Sequence, residues 1–104
     1  MIVVTSDDIA HHDIERTLGL VRGNAIRARH IGTDIMAGLR GLIGGEVPEY
    51  TKLFAEAREQ ALDRMVEEAE TLGANAIISV RFSTSMVMSG AAELMCYGTA
   101  VVVG

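Results

Sequence analysis

Tryptophan is absent from this 104-residue sequence, and phenylalanine and tyrosine together supply four residues. That excludes a core built on large aromatic rings and leaves Ile, Val, Leu, Met and Ala to fill the interior. A single cysteine, Cys96, excludes an intrachain disulfide. Cations are scarce: nine Lys and Arg stand against fourteen Asp and Glu, for a net charge of −5. They are scattered, so no basic face forms to displace counterions from a polyanion, and no nucleic-acid partner is expected. The longest strongly apolar run, Met95 to Val103, is broken by Gly98 and Thr99. It falls far short of the roughly 20 residues a spanning helix needs, so no membrane span is expected. Met1 to Val4 runs straight into Asp7 and Asp8 with no basic flank, nothing reads as a secretory signal, and the cytoplasm is the expected location.

What is present is aliphatic. Apolar residues make up 49% of a chain long enough for one domain, residues 1–104. A domain of this size buries only about two-thirds of the surface its unfolded chain exposes. So much apolar material is more than one small subunit hides, and association with further copies is the expected outlet.

The pattern along the chain predicts an α+β fold: short N-terminal strands, two helices, then a long C-terminal β-hairpin. Ile2 to Thr5 reads as a short strand ended by Ser6, Asp7 and Asp8. From Ile14 to about Ala28, β-formers are interrupted by Gly19 and Gly23, which predicts one bent strand or two short ones, with a bulge or a close backbone approach at the glycines. Thr33-Asp34 opens a first predicted helix carrying Ile35, Met36, Leu39, Leu42 and Ile43, ended by Gly44-Gly45. A second starts at Pro48 and places Phe54, Ala57, Ala61, Met65, Ala69 and Leu72 on one stripe, with Gly73 as its cap. Three of those six are alanine, so this helix can approach a sheet closely. Next, Ile78, Val80, Phe82, Met86 and Met88 alternate with Ser79, Arg81, Ser83 and Ser85, predicting a strand with one buried face. Ser89-Gly90 supplies the turn. The returning strand, about Glu93 to Val103, is apolar on both parities. One face is expected to meet the helix and the other, lacking an intrachain partner, a neighbouring subunit.

Order and spacing of several short motifs resemble the YbjQ-like family, also called UPF0145 or DUF74. They are Gly23 and Ala25, Gly44-Gly45 to Tyr50, Ala57-Arg58-Glu59, Leu72-Gly73-Ala74-Asn75-Ala76-Ile77, Thr84-Ser85 to Met88, and Tyr97-Gly98-Thr99-Ala100-Val101. The resemblance implies a small α+β protein assembled as a homopentamer, a heavy-metal-binding label, and no established activity. This chain has Gly44-Gly45-Glu46-Val47-Pro48 where the family often has Gly-Gly-Arg-Ser, so an anion-binding role of that loop does not carry over.

His11, His12 and Asp8, with Asp7 and Asp13 beside them, form the one local cluster of ligand-type side chains, and imidazole with carboxylate suits a divalent metal such as zinc or nickel. Adjacent histidines on extended chain point to opposite sides, so one subunit offers about one imidazole and one carboxylate and a symmetry mate must add the rest; the alternative is a solvated polar loop. Cys96 reads as a small buried hydrophobe, since no local base or positive field lowers its pKa. Met86, Met88 and Met95 read as core filling and His30 as a surface residue. Gly38 to Gly45 lacks the Lys-Ser/Thr of a phosphate loop. Glu56, Glu59, Asp63, Glu67 and Glu70 form an acidic, solvated helix face. No complete catalytic set is present. The leading expectation is a non-enzymatic homo-oligomer that binds a metal ion or small ligand at subunit junctions. The alternatives are an interface enzyme using Cys96 or His30 with Glu46, and a scaffolding ring that docks another protein.

Overall fold

A computed structural model describes residues 1–28, 48–88 and 91–104. Four strands, β1 (Ile2–Val3), β2 (Ile14–Ala28), β3 (Ala76–Met88) and β4 (Ala91–Val103), and one helix, α1 (Pro48–Thr71), make up the described fold. The first predicted helix, with His30 and Glu46 beside it, lies outside the described residues, as does the turn Ser89-Gly90. The sheet runs β1-β3-β4-β2. β4 pairs antiparallel with both β2 and β3, and β1 pairs parallel with β3. The expected C-terminal hairpin is therefore β3–β4. Strands of 13 to 15 residues at about 3.3 Å per residue span roughly 43 to 50 Å. That accounts for a long dimension of 53 Å and a radius of gyration of 17.0 Å, against about 13 Å for a compact chain of this length.

Helix α1 lies over β2 and β4, and its alanines decide how closely. Ala57, Ala61, Met65 and Ala69 are buried against Val21, Ala25, Leu94, Cys96 and Ala100. Gly23 marks the tightest point: a Cβ there would run into the Ala61 carbonyl oxygen and lie 2.6 Å from the Met65 nitrogen. The helix then stops in a Schellman turn. Gly73 has φ 84°, its N–H donates to the Glu70 carbonyl at 3.0 Å, and the Ala74 N–H donates to that of Ala69 at 3.0 Å. Leu72, expected on the buried stripe, is 45% exposed instead. Its N–H bonds three residues back to Ala69, so the tightened last turn rotates it off the helical period. Asn75 continues the junction by pairing with β4 through its side chain. Its Nδ2 donates to the Val103 carbonyl and its Oδ1 accepts from the Val103 N–H, both at 2.8 Å.

β3 departs from the expected alternation. Ser79 adopts φ 54°, and the register shifts between Ile78 and Arg81. Ile78 consequently packs on the face away from α1 and Val80 on the helix face. Two residues with the same sequence parity are separated by one bulge. Beyond it, Phe82 and Met86 are exposed, because α1 lies over β2 and β4 rather than over β3.

The far face of β4 also differs from expectation at its C-terminal end. Val101 and Val103 are buried there with Ala76 and Ile78, and Ile2, Val4 and Ile9 of the same chain pack on them. The N-terminal segment is held by the β3 bulge. The Ser79 N–H donates to the Ser6 carbonyl at 2.9 Å, the Val80 N–H to that of Val4 at 3.1 Å, and Ser79 Oγ to Asp7 Oδ1 at 2.6 Å. So this end of the hairpin finds its cover within the chain.

Candidate functional site

Two regions hold the chemistry-bearing side chains: the N-terminal strap of residues 5–13, and the sheet face opposite α1 beyond that strap.

In the strap, His12 N–H donates to the Ile9 carbonyl at 3.1 Å, and His11 sits in the tight turn between them at φ 64°. Left-handed backbone is uncommon outside glycine, and histidine is among the residues that tolerate it. His12 Nδ1 donates to the Gly104 carbonyl oxygen at 3.1 Å. That bond fixes the tautomer of the neutral ring and leaves Nε2 as its lone-pair nitrogen, the arrangement in which metal-binding imidazoles are commonly held. Asp8 accepts from Ser6 through its backbone carbonyl, at 2.6 Å, so its carboxylate is not used by that bond. His11, His12 and Asp8 are all exposed. Among the described residues no three His, Cys, Asp or Glu side chains converge into a group able to hold a metal ion.

On the sheet face opposite α1 the pairing register sets out rows of side chains. Arg22 of β2 lies opposite Tyr97 of β4, which lies opposite Arg81 of β3. The neighbouring row toward the hairpin tip is Asn24, Met95 and Ser83, and the next is Ile26, Glu93 and Ser85. Arg22 and Arg81 are exposed, and Tyr97 is 36% exposed. Arg81 is anchored, its Nη1 donating to the Thr5 carbonyl and to the Val80 carbonyl, each at 2.9 Å. Leu20 and Ile26 flank this region at 63% and 60% exposure. Among the described residues no element lies over it. Neither arginine was a candidate from sequence. Their shared face follows only from the strand register and from the bulge at Ser79, although the parity of Tyr97 on β4 was visible.

Cys96 is fully buried on the helix face. Burial raises its thiol pKa above the ordinary value, against smaller lowering by backbone hydrogen bonds at Gly23 and at Cys96 itself. A protonated, enclosed thiol is a poor nucleophile. On the outer side of α1, Ala55, Glu56, Glu59, Gln60 and Asp63 line a shallow depression too open to enclose a ligand. No described helix is long and apolar enough to cross a membrane.

A family model described as "Putative heavy-metal-binding" matches residues 1–104. A UPF0145 protein of Methanosarcina acetivorans is 58% identical over 101 residues, covering 97% of this chain and 95% of its own length. One from Dehalococcoides mccartyi is 59% identical over 103 residues, with 99% of each chain covered. A crystal structure from Pediococcus pentosaceus, a protein of unknown function belonging to the DUF74 family, superposes with a TM-score of 0.65 at 18% identity, covering 100% of this chain and 98% of its own. At that identity the likeness concerns the fold.

Proposed function

This chain belongs to the YbjQ-like family of UPF0145 proteins, and from that premise we propose that it is a cytoplasmic, self-assembling binding protein without catalytic chemistry. Its subunits close into a ring, of five by the family resemblance, and hold a metal ion or small ligand where subunits meet. The observation that carries this reading is the sheet face opposite α1. There Leu20 and Ile26 stand exposed beside Met95 and Tyr97, an apolar surface of the kind that marks association sites. A patch that meets a different surface of the next copy repeats around a closed ring until no patch is left open.

The ligand half of the proposal follows from what a single chain offers. His11, His12 and Asp8 supply fewer convergent ligands than the three or four protein ligands a zinc-type site normally uses, and a neighbouring subunit supplies the remainder. The enzyme alternative loses Cys96 as a nucleophile to its burial, and its other residues, His30 and Glu46, lie outside the described residues.

Size-exclusion chromatography with light scattering at micromolar concentration tests the assembly, and a folded, stable monomer refutes it. Calorimetric titration with Zn²⁺, Ni²⁺ and Cu⁺ tests the metal. Saturable binding that disappears in His11→Ala/His12→Ala supports the strap as ligand source, whereas no saturable heat in the wild type removes the metal from the proposal. A scaffolding role would be read from pull-down of a partner by an assembly that binds neither metal nor small ligand.

A further inference from the structure

We propose that copies of this chain join edge to edge, the outer side of β2 in one copy pairing in parallel with the outer side of β3, from Phe82 to Met86, in the next. The proposal rests on the reading that subunits close into a ring, and it names the strands that join them.

Hydrogen bonds already made show which backbone groups face outward. The Val80 N–H leaves β3 on its outer side, donating to the Val4 carbonyl at 3.1 Å, and successive residues of a strand turn their backbone groups to opposite sides. Arg81 therefore turns inward to β4, and Phe82 and Thr84 turn outward. Phe82 lies opposite Cys96, which lies opposite Gly23. Because Phe82 turns away from it, Cys96 directs its groups to β2 and Gly23 returns them, so Arg22, Asn24 and Ile26 turn theirs to the outer side of β2. The Asn24 carbonyl agrees: it accepts from a helix side chain, Arg64 Nη1, in place of a strand. An incoming backbone N–H can replace that donor.

The two edges are open over the same stretch of the sheet. The order β1-β3-β4-β2 leaves β2 with a strand on one side only, and β1 with the strap occupies β3 as far as Val80. Among the described residues no strand pairs with the outer side of β2 or with that of β3 beyond Val80. Phe82 stands in the row of Gly23, and Met86 in the row of Arg27, so the open lengths lie level. Both strands run antiparallel to β4, so a rotation that carries one copy to the next brings them together as a parallel pair. In such a pair a residue bonded to its neighbour stands beside one that is not, with both side chains on one face. Arg22, Asn24 and Ile26 share their rows and their face with Arg81, Ser83 and Ser85, the inward-turned residues of β3. The faces therefore match, and α1 stays on one side of the sheet in every copy. Two different edges meeting head to tail close a ring and cover strand edges that would otherwise invite uncontrolled pairing.

The test is light scattering, with circular dichroism as a check on folding, of the full chain as wild type, Arg22→Pro and Thr84→Pro. Each proline removes one outward N–H and sets its ring against an incoming strand, while the bonds to β4 stay intact. Arg22→Ala and Thr84→Ala keep the N–H and control for the side chains. Expected are assembly of the wild type and both alanine variants, and folded single chains for each proline variant alone. An equal mixture of the two proline variants should form pairs, because each supplies the edge that the other has lost. A wild type that stays monomeric overturns the edge contact and the ring together. Folded proline variants that assemble like the wild type overturn the edge contact and leave the ring. A mixture that stays monomeric, or a Thr84→Pro that pairs with itself, overturns the head-to-tail pairing. Should a proline variant fail to fold, amide hydrogen exchange on the wild type decides: the N–H groups of Arg22, Asn24, Ile26, Phe82 and Thr84 should exchange at least about tenfold more slowly in the assembly than in dissociated protein, and equal rates overturn the proposal.

Discussion

The two faces of β4 are both apolar in sequence and yet are closed by opposite means. The helix face is built from small residues: Gly23, Ala25, Ala57, Ala61, Ala69 and Ala100 let backbones come together until Met65 and Cys96 are sealed. On the other face Ile2, Val4 and Ile9 of the N-terminal segment cover Val101 and Val103, while larger side chains such as Leu20 and Ile26 stand open beyond them. Small residues finish a contact inside one chain because close approach leaves no void. Large exposed ones leave area for another molecule. The difference separates the part of the protein that supplies its stability from the part available for assembly and binding.

That contrast can be broken most forcefully at Gly23. Replacement by Val places side-chain atoms against the Ala61 carbonyl and the Met65 amide and should cost at least about 3 kcal/mol, read as a lower denaturant midpoint. Near-wild-type stability would mean that α1 does not sit this close. Met65→Ala leaves a cavity in the same contact and should cost about 2 to 5 kcal/mol; a smaller loss would show that the helix settles into the gap.

Cys96 sharpens the contrast through pH. Its thiol is raised in the folded state by burial, so the unfolded chain loses its proton first. Stability is full below the ordinary thiol range of about 8.5 and declines as pH rises from there toward the folded value. Chemical denaturation across alkaline pH should show this decline in the wild type and lose that component in Cys96→Val. An unchanged pH profile in the variant would contradict the enclosed thiol.

The smallest effect on the single chain is expected on the open face. Leu20→Ser and Ile26→Ser should each change unfolding free energy by no more than about 0.5 kcal/mol, provided stability is measured on dissociated protein. The same substitutions should weaken self-association in light scattering. Large destabilisation of the isolated chain would show that this face is covered from within.

Much of the fold was legible because local chemistry and tertiary need agree. The 3.6-residue spacing of Ala57, Ala61, Met65 and Ala69 gives α1 and its buried side, and Gly73 gives its end. The two glycines of β2 acted in the two ways open to them. Gly19, at φ 122°, sits at a register shift, and Gly23 admits the helix backbone. Ser79 hid its effect, because left-handed backbone at a serine carries no composition signal and one such residue exchanges the faces of everything after it. Leu72 was misplaced because the period ends one turn before the apolar residues do. The strap's cover over Val101 and Val103 was illegible because contacts between residues about 90 positions apart leave no periodic trace.

The candidate sites divide in the same way. His11, His12 and Asp8 are neighbours in sequence and could be named from it, but convergence is a property of space, and among the described residues no three such side chains come together. Arg22, Tyr97 and Arg81 are remote in sequence and share a row only because β4 pairs between β2 and β3 in one register.

The sequence by itself determined the class of elements, the small-residue stripe of α1, its glycine cap and the net negative charge, since each depends on residue type and short-range spacing. Only the tertiary structure decided which face of each strand is buried, which residues share a row and which apolar surface stays open. Those depend on register, on a bulge and on where one helix lies, and a one-residue shift in any of them reverses the answer.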